Sequence, residues 1–304
     1  MAKLEDYLRK ERLPSIWCPG CGNGTVTRGL LQAIDELGLP KDRVVVVGGI
    51  GCSSRTALYL DFNTMHTTHG RAIAFATGIK LFRPELVVIL TLGDGDAVAI
   101  GGNHLIHAAR RNIDLTVIIY NNGNYGMTGG QVGPTTELGA RTTTTLHGNL
   151  EPPLDIVELA LAAGATYVAR TTTYDFQELP RLIKRAIAHR GFAVVDVLTQ
   201  CPTFYGRLNR LGDPYEMVRR FREITVPIEE ARRLSPEELE GKVITGEFRC
   251  EERPEFTQVY WELVRQLREQ DREQEQKEKQ KGKEKAGRER EREKGGLGLK
   301  VDAP

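Results

Sequence analysis

ELVVILTLGDGD, residues 85–96, and IDLTVIIYNNGN, residues 113–124, each carry an apolar run straight into a cluster of glycine, aspartate or asparagine. A short apolar run bounded by turn residues reads as a strand buried on both faces of a sheet. The stretch between them, VAIGGNHLIHAARR (98–111), reads as a helix. Strand, helix, strand in that order is one βαβ unit, with parallel strands joined by a right-handed crossover.

The pattern extends in both directions. RVVVVGGIG (43–51) and GFAVVDVLTQCP (191–202) are further buried strands, and NGTVTRGLLQAIDEL (23–37), GRAIAFATGIKLF (70–82) and FQELPRLIKRAIAHR (176–190) are helices. The fold class is therefore α/β, a parallel sheet with helices on both faces and no repeat of solenoid length. One domain spans residues 1–205. An extension over 206–267, rich in charge and proline, ends in a packed helix with Val259, Leu263 and Leu267 on one face. From 268 to 304 a charged tail, REQDREQEQKEKQKGKEKAGREREREK and beyond, has no face to bury and reads as disordered or as a solvated helix.

Composition narrows the chemistry. The chain has 304 residues, 40% hydrophobic and 27% charged, with a net charge of +1. Nothing in that balance attracts nucleic acid or an anionic membrane. The opening MAKLEDYLRKERLPS lacks the apolar core of a secretory signal, and no run nears the roughly 18 apolar residues of a membrane span. A cytoplasmic protein is expected, and in that reducing setting five cysteines point to metal binding or catalysis rather than disulfides.

In open parallel sheets, ligands bind beyond the carboxyl ends of the strands. GGIGCSS, GDGD, NNGN and TQCP all fall there. One βαβ unit brings Asp94 near Asn121 and Asn122, across the 28 positions between Asp94 and Asn122. A carboxylate, an amide oxygen and main-chain carbonyls are hard ligands suited to Mg²⁺ or Ca²⁺. Gly93 and Gly95 leave the backbone bare for a phosphate. The combined expectation is a diphosphate held through a divalent cation.

Cys18, Cys21, Cys52 and Cys201 suit Zn²⁺ or a [4Fe–4S] cluster, and Cys18-x-x-Cys21 alone a redox pair. The redox pair is disfavoured because Cys18 precedes the first strand. Structural zinc stays open, although zinc ribbons usually bring two CxxC pairs. His66, His69 and Arg71 in HTTHGRA sit where a loop enters a helix, placed either to meet an anion or as ordinary surface groups. His104 and His107 read as helix-surface residues. Gly49-x-Gly51-x-x-Ser54 is an imperfect dinucleotide fingerprint, and HTTHGRA follows where a nicotinamide enzyme needs its acidic strand end.

GDG, 25 residues and then NN resembles the thiamine diphosphate signature. That resemblance implies Asp94, Asn122 and the carbonyl of Asn124 as Mg²⁺ ligands, with Asn121 as the alternative. CPGCGNG, GGIGCSS, HTTHGRA, GDGDAVAIGGNH and QCPTFYGRLN together resemble the β subunit of 2-oxoacid:ferredoxin oxidoreductases, over about residues 13–215. The resemblance implies a thiamine diphosphate-binding fold and a [4Fe–4S] cluster on Cys18, Cys21, Cys52 and Cys201, leaving Cys250 spare. It implies cofactor contacts at Gly49, Ile50, Ser54, His69, Gly93, Asp94, Gly95, Asp96, Asn122 and Asn124. The reaction implied is oxidative decarboxylation of a 2-oxoacid, with coenzyme A taking the acyl group and ferredoxin the electrons. QCPTFYGRLN looks more like members acting on 2-oxoglutarate than on pyruvate, and Arg207 and Arg210 are either placed to meet a second carboxylate or ordinary surface arginines. Pyruvate or broad specificity, and a zinc-stapled, non-catalytic nucleotide-binding subunit, are the alternatives. With one such domain in the chain, the activating Glu is expected on a partner α subunit.

Overall fold

The structure is a computed structural model and describes residues 3–295, with side chains through 292. The expected tail's residues 296–304 lie outside the described residues. Chain order runs α1 (Asn23–Glu36), β1 (Val44–Gly48), α2 (Thr56–Tyr59), β2 (Asn63–His66), α3 (Ala72–Phe82), β3 (Val87–Gly93), α4 (Gly102–Arg111) and β4 (Leu115–Asn121). It continues with the small pair β5 (Asn124–Tyr125) and β6 (Gln131–Val132), then α5 (Ile156–Ala163), β7 (Tyr167–Thr172), α6 (Glu178–Ala188) and β8 (Phe192–Leu198). Last come α7 (Pro214–Ile224), β9 (Thr225–Pro227), α8 (Ile228–Ala231), β10 (Val243–Cys250) and α9 (Phe256–Gly295).

The main sheet has the order β2-β1-β3-β4-β8-β7-β10-β9. From β2 through β7 every pairing is parallel, and β10 joins β7 antiparallel. Strand alternation explains the two cores. Val45 and Val47 pack with α3, α4 and α5, whereas Val44 and Val46 point the other way and pack with α1 and α6. Helices therefore cover both faces, which is why β1, β3, β4 and β8 read as continuous apolar runs.

Four strands have no such run. β2 lies at the sheet edge with mostly exposed side chains. β7 is buried throughout but carries Arg170, whose charge is met by Asp155 and the buried Asp196 at 2.7 and 2.8 Å. β9 and β10 lie in the segment read as an arm. That segment is not separate from the sheet: residues through Thr257 form one compact unit, because β10 hydrogen-bonds to β7. The second unit begins at Gln258 and is helical. Its helix runs through residue 267 without a break, Val259, Leu263 and Leu267 are about half exposed, and every described side chain from 265 onward is exposed.

Candidate cofactor and metal centre

Because β3 pairs directly with β4 in the register Gly93↔Tyr120, the loops after both strands leave the sheet side by side. Asp94 leads into a π-helical turn, Gly95–Ala99, that holds Asp96 and precedes α4. Such turns widen a helix by one residue and are frequent at functional sites.

A cleft opens here, lined by Asp94, Asn122, Asn124, Gly93, Gly95 and Asp96 from this pair of loops, and by Ile50 and His69 from the neighbouring ones. Gly49 and Ser54 are not in its lining. Ser54 is wholly buried, and its hydroxyl, with one hydrogen to give, lies 3.3 Å from the Thr91 carbonyl and 3.4 Å from Asp96 Oδ2. Gly49 packs its main chain on Asp96: a Cβ there would lie 1.9 Å from Oδ2. Both therefore pack against Asp96.

The Asp94 carboxylate is buried, which raises its pKa to about 6 against the opposing hydrogen bonds from Thr135 and Gly95. Burial without a cation disfavours the charged form, and a divalent ion would restore it. Asn122 Oδ1 accepts from the Asn124 N–H, and the Asn124 carbonyl accepts from the Gly126 N–H. Each of these oxygens keeps a second lone pair. Asn124's own side-chain amide is buried with neither Oδ1 nor Nδ2 partnered, a vacancy in the hydrogen bonding that a bound group would fill. Asn121 faces elsewhere. It lines the adjoining cavity, and its Oδ1 lies 2.9 Å from Thr135 Oγ1.

Cys18, Cys21, Cys52 and Cys201 line a single neighbouring pocket, although 183 positions separate the first from the last (201 − 18). The fold brings them together through the main chain. Gly22 N–H donates to the Gln200 carbonyl, Gln200 Nε2 donates to the Gly20 carbonyl, and Trp17 Nε1 donates to the Cys52 carbonyl. Gly20 takes a left-handed φ of +77°, and a Cβ on Gly22 would strike Gln200. Gly24 meets no such constraint. Burial pushes the Cys21 thiol up to about 12 and Cys52 up to about 11, in each case with the other cysteines adding to the shift. Thiols in this setting stay protonated until a metal takes the proton's place. Among the described residues no three His, Cys, Asp or Glu side chains converge closely enough to hold one ion, so the thiols stand round the pocket rather than meeting at a point.

The two pockets share Cys52, Asn122, Gly126 and Met127. Gly126 is the closest link: a Cβ there would lie 3.3 Å from Asn124 Oδ1, 3.6 Å from Cys201 Sγ and 3.7 Å from Cys52 Sγ. Cys250 lies at the end of β10, exposed and outside the thiol pocket. His104 and His107 stand on α4 outside the cleft, and Arg207 and Arg210 are exposed outside it. Sequence reasoning missed Tyr125, which lines the cleft and packs edge-on against His69, and Thr135 beside Asp94. A run of small residues, GMTGGQVGPTT (126–136), was the only signal for that loop.

Comparison with known proteins agrees with this geometry. Residues 49–197 match the family described as thiamine pyrophosphate enzyme, C-terminal TPP binding domain. The chain is 50% identical to 2-oxoglutarate synthase subunit KorB of Methanocaldococcus jannaschii over 87% of this chain and 98% of that protein. It is 59% identical to the KorB of Archaeoglobus fulgidus over 66% of this chain and 75% of that one. Among solved structures, a 2-oxoglutarate:ferredoxin oxidoreductase from Magnetococcus marinus, with 2-oxoglutarate, coenzyme A and succinyl-CoA bound, superposes with a TM-score of 0.78 at 36% identity, over 88% of this chain and 91% of that one. No helix among the described residues is long and apolar enough to cross a membrane. A parallel sheet with an acid and two asparagines at its carboxyl edge, matched along nearly the whole of a curated relative, places the chain in the family of KorB β subunits of 2-oxoacid:ferredoxin oxidoreductases.

Proposed function

We propose that this chain is the cofactor-bearing β subunit of a cytoplasmic 2-oxoglutarate:ferredoxin oxidoreductase. With its α subunit it carries out the coenzyme A-dependent oxidative decarboxylation of 2-oxoglutarate to succinyl-CoA and CO₂. The observation that supports this most directly is the shared wall at Gly126, where the Asn124 amide and the thiols of Cys52 and Cys201 lie within one residue's reach. A site for an electron-rich organic cofactor and a site for a one-electron relay are thus built back to back.

The residues present fit thiamine diphosphate and Mg²⁺. Asp94, Asn122 and the Asn124 carbonyl offer a hard donor set, the unpartnered Asn124 amide waits for a polar group, and Gly93 and Gly95 bare the backbone beside it. Four thiols round one pocket fit a [4Fe–4S] cluster, in which each thiolate takes a different iron. When bound, thiamine diphosphate supplies carbanion chemistry and the cluster supplies single-electron transfer. The chain's own residues bind and orient these groups. Asp94 and the two asparagines anchor the diphosphate end through the cation, Asp96 and His69 hold the loops on either side, and Gly126 keeps the separation short.

Arg207 and Arg210 do not line the cleft, so the preference for 2-oxoglutarate rests on the relatives. Turnover of 2-oxoglutarate, pyruvate and branched-chain 2-oxoacids by the αβ complex, with coenzyme A and ferredoxin, tests it. Faster turnover of pyruvate overturns the substrate, and a colourless protein containing zinc without acid-labile sulfide overturns the electron relay.

A further inference from the structure

Thr135 and Thr136 belong to the loop after β6, and no motif in the sequence points to them. Thr135 Oγ1 lies 2.5 Å from Asp94 Oδ2 and 2.9 Å from Asn121 Oδ1. The next residue turns the other way: Thr136 Oγ1 donates to the Gly123 carbonyl at 2.6 Å and accepts from the Gly133 N–H at 2.8 Å. Asn149 fixes this loop from outside, its Nδ2 donating to the carbonyls of Thr136 and Glu151 at 2.9 and 2.8 Å. Two consecutive hydroxyls therefore grip the two loops that carry the proposed metal ligands. Thr135 holds the acid after β3, and Thr136 holds the main chain between Asn122 and Asn124.

The direction of approach decides what this grip does. Thr135 and Asn121 line one cavity, Asp94 and Asn124 line the cleft, and Asn122 lies in the wall between and lines both. The hydroxyl reaches Asp94 from behind. It has one hydrogen, and the carboxylate is both the closer and the charged acceptor, so the hydrogen goes to Oδ2. Asn121 Oδ1, neutral and farther away, is the weaker acceptor of the same hydroxyl. With Oδ2 engaged by Thr135, the lone pairs that the carboxylate keeps are those left to meet a cation from the cleft.

We propose that Thr135 is the positioning residue of the metal site: its hydroxyl fixes the rotation of the Asp94 carboxylate, so that one oxygen faces the divalent cation while Thr136 sets the height of the asparagine loop. This rests on the Mg²⁺ and thiamine diphosphate reading above and names the group that orients its acidic ligand. Thr135 does not touch the cation and is not a catalytic residue.

The test uses the αβ complex stripped of metal and reloaded with Mn²⁺ in the presence of thiamine diphosphate. Mn²⁺ affinity is read by titrating the paramagnetic resonance signal of the free ion. Thr135→Val keeps the shape and removes the hydroxyl, and it is expected to weaken Mn²⁺ binding about tenfold, about 1.4 kcal/mol. Iron content and melting temperature should stay those of the wild type, and Thr135→Ser should recover most of the affinity. Wild-type affinity in Thr135→Val, or an equal loss in Val and Ser variants, overturns the proposal. Asp94→Ala separates the two levels. If it abolishes Mn²⁺ binding while Thr135→Val leaves the affinity unchanged, only the role of Thr135 falls; if Asp94→Ala changes nothing, the metal reading falls too.

Discussion

His69 Nδ1 lies 2.7 Å from Asp96 Oδ1, an oxygen that also accepts the Gly70 N–H at 2.6 Å. Asp96 further receives the Ile50 N–H and the Ser54 hydroxyl, each at 3.4 Å, and is only 3% exposed. One buried carboxylate thus ties the loop after β1 and the loop before α3 to the π-helical turn after β3. Asp96→Asn replaces an acceptor oxygen by a donor that faces other donors. A cost of about 1–3 kcal/mol follows from leaving those groups unmatched. Urea midpoints should fall accordingly, and an unchanged midpoint would show that the carboxylate carries no such tie. His69→Ala removes one partly exposed donor and should cost less.

Gly95→Ala tests the steric side of the same turn. A Cβ there would lie 2.1 Å from the Tyr125 ring, so the ring or the turn must move. Overpacking of this kind costs about 1–3 kcal/mol. Because Tyr125 lines the cleft, apparent thiamine diphosphate affinity should drop by about tenfold, each factor of ten being about 1.4 kcal/mol. Gly102→Ala is the control, since nothing lies within 4 Å of its Cβ and it sits in α4. Equal affinities for the two variants would remove the steric argument.

Cys18→Ser, Cys21→Ser, Cys52→Ser and Cys201→Ser should each lose iron, sulfide and the broad visible absorbance of the anaerobically purified complex. Cys18, Cys21 and Cys201 lie outside the cleft that Asp94 lines, so thiamine diphosphate should still bind in their variants. Cys250→Ser should keep a full complement of iron. Retained iron in any of the four variants would remove that residue from the ligand set.

How much of this was legible depended on whether a strand or site declares itself locally. β1, β3, β4 and β8 are sandwiched between helices, so their sequences carry the apolar run that burial on two faces demands. β7 is equally buried but hides its signal behind Arg170, whose partner Asp196 is 26 positions away on β8. β10 makes its hydrogen bonds at the far side of the sheet, where a charged, glycine-containing strand suffices. The proposed metal ligands and the cysteines were readable because such chemistry restricts the residue type. Gly49 and Ser54 were read as cofactor contacts because they stand in the right loop, whereas they face Asp96. Thr135 gave no sign, since a threonine's role is set entirely by what lies beside it.

Acid sensitivity should have a component from His189. Its Nε2 lies 2.7 Å from Thr166 Oγ1 and its ring packs near Tyr167, and burial holds its pKa below the ordinary histidine value. A histidine whose pKa is lower in the folded state favours the neutral form there. Its contribution to stability is therefore full above about pH 6.5, the unfolded value, and is lost as pH falls through the folded one. His189→Gln keeps a polar partner for Thr166 without a titrating ring. Between about pH 7.5 and about pH 5.5 the variant should lose less stability than the wild type, by at most about 1.4 kcal/mol per pH unit. Parallel curves of urea midpoint against pH would overturn this.

The rim of the cleft carries exposed apolar surface. Ile50 and His69 line both the cleft and a shallow open groove with Met65, His66 and Phe75. Ile50 is 40% exposed and Phe75 48%, a cluster of apolar surface beside the very loops that are to hold a cofactor. Left open to water, the diphosphate end would be anchored by the cation while the rest of the cofactor stayed solvated. An α subunit laid over this rim would close the site and bring the acid expected of the partner. The β subunit alone should therefore bind thiamine diphosphate weakly and show no turnover of 2-oxoglutarate, and addition of the α subunit should restore both. Phe75→Asp, at an exposed position of α3, should weaken assembly of the αβ complex without lowering the melting temperature of the isolated β subunit. Tight cofactor binding and full turnover by the β subunit alone would show that the chain completes the site by itself.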